Sequence, residues 1–166
     1  MERIKTWDEY FMRMCYLIAQ KSHDPKTRIG SVLVRDRNII ATGYNSFPRN
    51  IKDLPERYND RELKRKIINH SEENTILTSA RLGINTSNTT LYTFGIPCVS
   101  CCKILLQGSV IEIVTHNQWP NLIHNQEWVE SIKLSKMLID EAGVKHRIFD
   151  KVLNLQGFLD GKIINV

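Results

Sequence analysis

The sequence predicts an α/β protein built as a three-layer α/β/α sandwich, with helices covering both faces of a central mixed sheet of about five strands. In the second half of the chain, strand patterns alternate with helical patterns, which indicates parallel pairing through right-handed crossovers. In the first half, two strand patterns follow each other closely, as in a hairpin. A length of 166 residues favours one domain with one core. We therefore expect a single domain over residues 1–166, with a C-terminal tail from about residue 150.

The chain begins with a predicted helix and hairpin. The run Thr-Trp-Asp-Glu at residues 6–9 fits a capping box, so a helix should start there and end near Ser22. Residues 29–35 and 39–44 are rich in apolar and β-branched side chains, and the polar run 36–38 separates them. This pattern predicts two antiparallel strands joined by a tight turn.

The middle of the chain is predicted to be a loop followed by two helices. Residues 45–59 carry two prolines and several polar side chains, which favours a loop. Helical patterns follow over residues 61–69 and over residues 71–82. Gly83 is the expected C-terminal stop of the second helix.

The second half alternates strictly between strands and helices. Helices are predicted from Pro97 to Gly108 and over residues 127–142, where Gly143 provides the stop. Strands are predicted over residues 89–94, 110–115 and 144–149. Beyond Asp150 the signals are weak.

Composition excludes several classes of protein. The hydrophobic fraction is 42% and the charged fraction 25%, as in globular proteins. No stretch approaches the roughly 20 apolar residues of a membrane span. The charged, amphipathic N-terminus does not resemble a secretory signal, so we expect a cytoplasmic protein without membrane association.

The positive charge of the chain suits an anionic partner. The formal net charge is +5 and the isoelectric point about 9.1. The dense basic run Lys64-Arg65-Lys66 lies inside a predicted helix. Such charges also occur on ordinary solvated surfaces, and a phosphorylated small molecule would need only a few of them.

Two short segments carry the chemistry. His70-Ser71-Glu72 and Pro97-Cys98-Val99-Ser100-Cys101 each stand at the start of a predicted helix. Together they match the H-x-E…P-C-x-x-C pattern of zinc deaminases. Cys98 and Cys101 project on the same side of one helical turn, and His70 can supply a nitrogen. Three protein ligands and one open position are typical of catalytic zinc.

Glu72 is the candidate general acid and base. It need not bind the metal, and a carboxylate beside a metal-bound water can take a proton from it and pass the proton on. Zinc can lower the pKa of such a water to about 7. The pattern therefore predicts hydrolytic attack at C4 of a cytosine ring, protonation of N3 and loss of ammonia.

Each half of the motif has another interpretation when taken alone. A C-x-x-C pair is also found in structural zinc sites and in redox dithiols. A structural site would want a fourth ligand, which could be a distant residue or Cys102. A redox site leaves His70 and Glu72 unexplained. The two-residue gap favours Cys101 over Cys102 as the ligand, and Cys102 is predicted to be a buried thiol.

Beyond the metal motif, longer segments carry a family resemblance. These segments are DPKTRIGSVLV (24–34), ATGYNSFPRN (41–50), the polar insertion 51–69 before His70, and EAGV (141–144). From about residue 7 to residue 149, the chain resembles the deoxycytidylate (dCMP) deaminases of the cytidine deaminase superfamily. The resemblance implies the fold of that superfamily and hydrolysis of dCMP to dUMP and ammonia, feeding thymidylate synthesis.

The resemblance also implies roles for individual residues. Asn45 is expected to bind the sugar, and backbone amides near Ser71 and Cys98 to hold the base oxygen and zinc-bound groups. Lys26, Arg28 and Arg49 are the candidates for the 5′-phosphate. Arg28 is the first choice among them, because it directly precedes a predicted core strand.

Further expectations concern regulation and assembly. Many relatives have alanine where this chain has Ser71, and Glu73 adds a second carboxylate beside Glu72. Some family members respond to dCTP and dTTP, so these nucleotides with Mg²⁺ are candidate effectors. A homo-oligomer is expected, with a hexamer favoured. No second metal is predicted for His116, His124 or His146.

Three other functions remain open at this point. The enzyme could accept dCTP as well as dCMP. A tRNA or single-stranded nucleic-acid deaminase would share the zinc chemistry but would need a basic groove with stacking aromatic residues. Trp119, Trp128 and Tyr92 are the available aromatics, although Trp128 has the spacing of a core residue. A non-enzymatic zinc module would have no use for Glu72.

Overall fold

Six helices and seven strands make up the described part of the chain, which comprises residues 3–119 and 126–166 of the computed structural model. In chain order they are α1 (Trp7–Ala19), β1 (Gly30–Arg35), β2 (Asn38–Tyr44), α2 (Pro55–Asn59), α3 (Arg61–Ile67), α4 (Ser71–Arg81), β3 (Thr89–Tyr92), α5 (Val99–Gln107), β4 (Val110–His116), α6 (Gln126–Glu141), β5 (Lys145–Phe149), β6 (Gln156–Leu159) and β7 (Lys162–Asn165).

The central sheet is mixed and has five strands, in the order β2-β1-β3-β4-β5. The β1–β2 hairpin is antiparallel, and β1 also pairs antiparallel with β3. The pairs β3–β4 and β4–β5 are parallel, each joined by a helical crossover. The predicted hairpin, the parallel second half and the five-stranded mixed sheet are therefore confirmed.

Helices cover both faces of the sheet, which confirms the three-layer architecture. Helix α1 and the β6–β7 hairpin pack on one face, where their apolar side chains join those of alternate sheet residues such as Val32 and Val114. Helices α4, α5 and α6 cover the other face. There Leu33, Leu91 and Ile113 meet Leu105 of α5.

The helix boundaries follow local signals in the sequence. Thr6 caps α1, and its Oγ1 accepts a hydrogen bond from the Glu9 backbone N–H at 3.1 Å. The helix ends at Ala19, three residues before the expected Ser22. Gly83 (φ +68°) and Gly143 (φ +67°) follow α4 and α6 in the left-handed conformation, as predicted for C-terminal stops.

Two elements differ from the sequence prediction. The segment expected to be loop contains the short helix α2, which begins at Pro55, a residue favoured at the first helical position. The C-terminal tail forms the β6–β7 hairpin, whose turn holds Asp160 and Gly161 at positive φ. An Asp-Gly pair is a strong hairpin signal, but it stands here between strands of only four residues.

None of the helices within residues 3–119 and 126–166 has the length and hydropathy needed to cross a membrane.

Candidate active site

Two helix N-termini bring the candidate metal ligands together. His70 is the N-cap of α4 and Cys98 the N-cap of α5, and both have extended backbones. The Nδ1 of His70 lies 3.4 Å from the Sγ of Cys98 and 3.4 Å from the Sγ of Cys101. The possible ligand atoms of these residues all lie within 4.8 Å of one another. The structure thus gathers the three residues into one cluster that could hold a metal ion.

The charge state of the cluster suits a divalent cation. Hydrogen bonds from Cys101 and His70 lower the pKa of Cys98, which favours the thiolate form of its sulfur. Both helices direct the positive ends of their dipoles at the cluster, which also favours thiolates. One imidazole and two cysteine sulfurs form a donor set that zinc prefers, with one position left for water.

Glu72 lies beside the cluster and is held by hydroxyl groups. Its side chain is only 8% exposed. The Ser71 hydroxyl donates to its Oε2 at 3.0 Å, and the Thr93 hydroxyl donates to its Oε1 at 3.3 Å. Ser31 Oγ lies 2.6 Å from Ser71 Oγ and donates to Thr93 Oγ1 at 3.2 Å, so it contacts both hydroxyls that hold the carboxylate. These residues fix the orientation of the carboxylate.

Burial raises the pKa of Glu72, although His70 and the Ser71 hydrogen bond oppose the effect. A carboxyl group with a raised pKa can hold a proton for part of a catalytic cycle and then release it. Ser71, where many relatives are expected to have alanine, therefore contributes a side-chain contact to the candidate acid and base.

A cavity of about 970 Å³ opens over the cluster. His70, Glu72 and Cys98 lie in its wall together with Asn45 and Ser71. The volume falls in the range of pockets that bind small molecules. A ligand in this cavity would contact His70 and Cys98 of the cluster and also Glu72.

The candidate substrate residues fall into two groups. Asn45 and Lys26 line the cavity. Arg28 does not belong to the described wall of the cavity, and its guanidinium lies over the Phe158 ring, 4.7 Å from the centroid. Arg49 lines a separate cavity of about 190 Å³. The described wall of the large cavity therefore includes Asn45 and Lys26 but not Arg28 or Arg49, and the assignment of these two arginines to the phosphate stays a prediction.

Helices α3 and α6 supply cations that the sequence did not single out for this site. Residues of α3 at spacings of three and four face the cavity: Arg61, Lys64 and Arg65. Lys133 and Lys136 of α6 line it as well. Of these, Lys64 is paired with the buried Asp24, with 2.6 Å between Nζ and Oδ2. The basic run at residues 64–66 was visible in the sequence, but its position depends on how the insertion packs.

Two tryptophans complete the apolar part of the wall. Trp119 is buried, and its ring centroid lies 4.4 Å from that of Phe94. Trp128 is half-buried in the cavity wall and belongs to neither core cluster, so the prediction of a core position was wrong. Cys102 is fully buried in the core, as predicted, and its Sγ lies 3.7 Å from the Ser135 carbonyl. His124 lies outside the described residues.

The sequence model of the cytidine and deoxycytidylate deaminase zinc-binding region matches residues 5–117. The chain belongs to this family. The match includes the whole candidate metal cluster and Glu72.

Several relatives within the family are dCMP deaminases by name. A probable deoxycytidylate deaminase of Drosophila melanogaster is 32% identical, over 85% of this chain and 71% of its own length. The deoxycytidylate deaminase of Homo sapiens is 30% identical, over 86% of this chain and 79% of its own. The ComE operon protein 2 of Bacillus subtilis is 31% identical, over 84% and 78%.

The fold agrees with this family. The crystal structure of dCMP deaminase from the cyanophage S-TIM5 in complex with dCMP and dUMP superimposes with a TM-score of 0.67. The match covers 89% of this chain and 100% of the cyanophage chain. At a sequence identity of 20%, this likeness establishes the fold alone. The predicted cytidine deaminase fold is therefore confirmed.

Proposed function

We propose that this protein is a zinc-dependent enzyme that hydrolyses dCMP to dUMP and ammonia. The observation that carries the proposal is the His70–Cys98–Cys101 cluster beside buried Glu72, at the wall of a cavity lined by cations. The names of the relatives, which include deoxycytidylate deaminases from fly and human, support the choice of substrate.

His70, Cys98 and Cys101 are the proposed zinc ligands. Zinc, when bound, polarises a water molecule and lowers its pKa towards neutrality. The residues fit the ion because their ligand atoms lie within 4.8 Å of one another and the pKa of Cys98 is lowered by hydrogen bonds from Cys101 and His70. A redox dithiol would not need an imidazole at 3.4 Å from both sulfurs.

Glu72 moves protons during the reaction. It takes a proton from the attacking water and delivers it to N3 of the cytosine ring. It then carries a second proton to the amino group that leaves from C4 as ammonia. Water adds and ammonia leaves, so dCMP plus water gives dUMP plus ammonia. The hydrogen bonds from Ser71 and Thr93 keep the carboxylate aimed at the ring throughout.

The nucleotide is held from its sugar to its phosphate by one side of the cavity. Asn45 is the proposed sugar contact, because its buried amide lies in the wall near Glu72. Lys26, Arg61 and Arg65 are the proposed phosphate ligands, since they are exposed cations in the same wall. Backbone amides near Ser71 and Cys98 are the proposed contacts of the base.

Three finer features belong to the proposal. We expect a homo-oligomer, with a hexamer favoured, to be detected by light scattering. We expect dCTP and dTTP with Mg²⁺ to change the rate on dCMP, and we expect the protein to be found in the cytoplasm. The expected assembly and the response to nucleotides are predictions that rest on the resemblance to the dCMP deaminases.

The test is ammonia release from dCMP, dCTP, deoxycytidine, CMP and a cytosine-containing oligonucleotide by zinc-loaded protein. Glu72→Ala is the control variant, with zinc content and circular dichroism measured on the same sample. Turnover of dCMP that disappears in the variant supports the proposal. Turnover of the oligonucleotide alone would make the protein a nucleic-acid deaminase. Zinc binding without turnover of any substrate, with or without added dCTP, would indicate a binding module.

A further inference from the structure

The orientation of the Asn45 amide is fixed by three hydrogen bonds. Its Oδ1 accepts from the Ile29 backbone N–H at 2.9 Å. Its Nδ2 donates to the Thr27 carbonyl at 2.8 Å and to Asp24 Oδ2 at 3.2 Å. A rotated amide would set a donor against the Ile29 N–H and an acceptor against the Thr27 carbonyl, so this network allows one orientation only.

This orientation leaves Asn45 with one kind of hydrogen bond to offer. Both hydrogens of its amide are used by Thr27 and Asp24. Its oxygen uses one lone pair for Ile29, and an amide oxygen has two. Asn45 is in the cavity wall, so a ligand there meets an acceptor and no free donor on this side chain.

Asp24 is the residue that completes this arrangement. It is 1% exposed, and its Oδ1 accepts from the backbone N–H groups of Lys26 and Thr27, at 2.8 and 3.2 Å. Its other oxygen, Oδ2, meets Asn45 Nδ2 and the Lys64 ammonium. One oxygen therefore shapes the loop before β1, while the other acts on the amide in the cavity wall.

Lys64 makes the buried charge of Asp24 tolerable. A carboxylate at 1% exposure is costly unless it is paired and hydrogen-bonded. The Lys64 Nζ lies 2.6 Å from Oδ2, and its side chain is itself only 16% exposed. The contact also ties α3, the helix that carries Arg61 and Arg65, to the loop that carries Lys26. The charged pair thus joins the two parts of the wall assigned to the nucleotide.

We propose that Asp24, paired with Lys64, is a positioning residue that locks Asn45 as a hydrogen-bond acceptor, so that the site selects deoxycytidine nucleotides with a free 3′-hydroxyl. The inference rests on the proposed function, in which Asn45 contacts the sugar. A 3′-hydroxyl can donate to the remaining lone pair of Asn45. A 3′-oxygen inside a nucleic-acid strand carries no hydrogen and cannot. The fixed Asn45 acceptor therefore disfavours binding of internal cytosines of an oligonucleotide.

The first experiment compares two analogues of dCMP on the unmodified, zinc-loaded protein. The 3′-amino-3′-deoxy analogue can donate a hydrogen bond, whereas the 3′-fluoro-3′-deoxy analogue cannot. We expect kcat/KM for the amino analogue to stay within about threefold of dCMP, and kcat/KM for the fluoro analogue to fall roughly tenfold. Equal values for the two analogues would overturn the inference.

The second experiment tests the role of Asp24 with the isosteric change Asp24→Asn. An amide can keep the oxygen that accepts from Lys26 and Thr27 but sets an NH₂ group against Asn45 Nδ2 and Lys64. We expect the preference for the amino over the fluoro analogue to shrink from roughly tenfold to less than about threefold. Asp36→Asn, in the exposed β1–β2 turn, is the matched control and should keep the preference.

The outcomes separate this inference from the proposed function. If the unmodified protein does not deaminate dCMP, the proposed function fails before the analogues are compared. If it does, a preference that survives intact in folded Asp24→Asn would refute the role of Asp24. If Asp24→Asn does not fold, the analogue comparison on the unmodified protein still decides whether Asn45 acts as an acceptor only.

Discussion

Replacing Gly43 with alanine should displace the first turn of α4, because the added Cβ atom would clash with backbone atoms of that helix. Gly43 lies on β2, directly under the first turn of α4. A Cβ atom at this position would lie 2.3 Å from the Ser71 carbonyl oxygen and 2.5 Å from the Thr75 backbone nitrogen. Ordinary contacts of such atoms are about 3.5 Å, so α4 must move away from β2 by about 1 Å.

This displacement has two measurable consequences. Overpacking of this kind costs about 1–3 kcal/mol of the free energy of unfolding. The moved turn carries His70, Ser71 and Glu72, and a 1 Å misplacement of catalytic groups can lower the rate about 100-fold. We therefore expect Gly43→Ala to fold but to lose roughly two orders of magnitude in kcat/KM for dCMP.

Gly83→Ala is the matched control, because it acts at the other end of the same helix. Its Cβ would meet nothing within 4 Å, but φ is +68°, so the strain costs about 1–2 kcal/mol without moving the first turn. Urea unfolding and steady-state kinetics on both variants check the prediction. The reasoning is refuted if Gly43→Ala loses stability but keeps kcat/KM, or if Gly83→Ala loses as much activity.

Three further predictions concern the proton carrier Glu72, the contacts of the substrate phosphate, and the ion pairs of Arg147 with Asp8 and Glu112. Glu72→Gln should lower kcat about 100- to 10,000-fold, while the zinc content, measured by atomic absorption, stays unchanged. A variant that keeps its activity would exclude Glu72 as the general acid and base. Arg61→Met and Arg65→Met should each raise KM for dCMP roughly tenfold but leave KM for deoxycytidine unchanged. Lys66→Met, on the same helix, is the control and should change neither KM value. Equal effects on both substrates would argue against a phosphate contact. Arg147 donates to Asp8 at 2.7 Å and to Glu112 at 2.8 Å. Its hydrogen bonds lower the pKa of Asp8. Burial raises the pKa of Glu112, but the hydrogen bonds from Arg147, Lys145 and Thr90 and the charge of Arg147 together lower it. Both carboxylates therefore stabilise the fold above their unfolded pKa values, about 3.8 and 4.5, and lose that contribution as the pH falls through the lower folded values. Arg147→Met should cost about 1 kcal/mol or less at pH 7, and the difference from the unmodified protein should vanish in urea titrations near pH 2; a difference that is constant with pH would refute this.

The sequence was most informative where function depends on short local patterns. His70, Glu72, Cys98 and Cys101 stand at two helix starts, and helix starts leave recognisable signals. The strand–helix alternation likewise predicted the parallel half of the sheet. These features could be derived because each depends on neighbouring residues in the chain.

The phosphate side of the cavity could not be derived in this way. Whether Arg61 or Arg65 faces the cavity depends on how the insertion packs, which the buried Asp24–Lys64 contact helps to set. Arg28 illustrates the same difficulty, because its partner Phe158 lies in the C-terminal hairpin, more than 100 residues away in the chain. The Asp160-Gly161 pair was the one local signal that could have predicted this hairpin.

The most direct test of the whole account is a zinc titration of the metal-stripped protein, with conversion of dCMP to dUMP followed on the same samples. We expect turnover to rise with added zinc and to reach its plateau at one ion per chain, with one ammonia released for each dUMP formed. Turnover that is independent of zinc, or one bound zinc per chain without any conversion of dCMP, would contradict it.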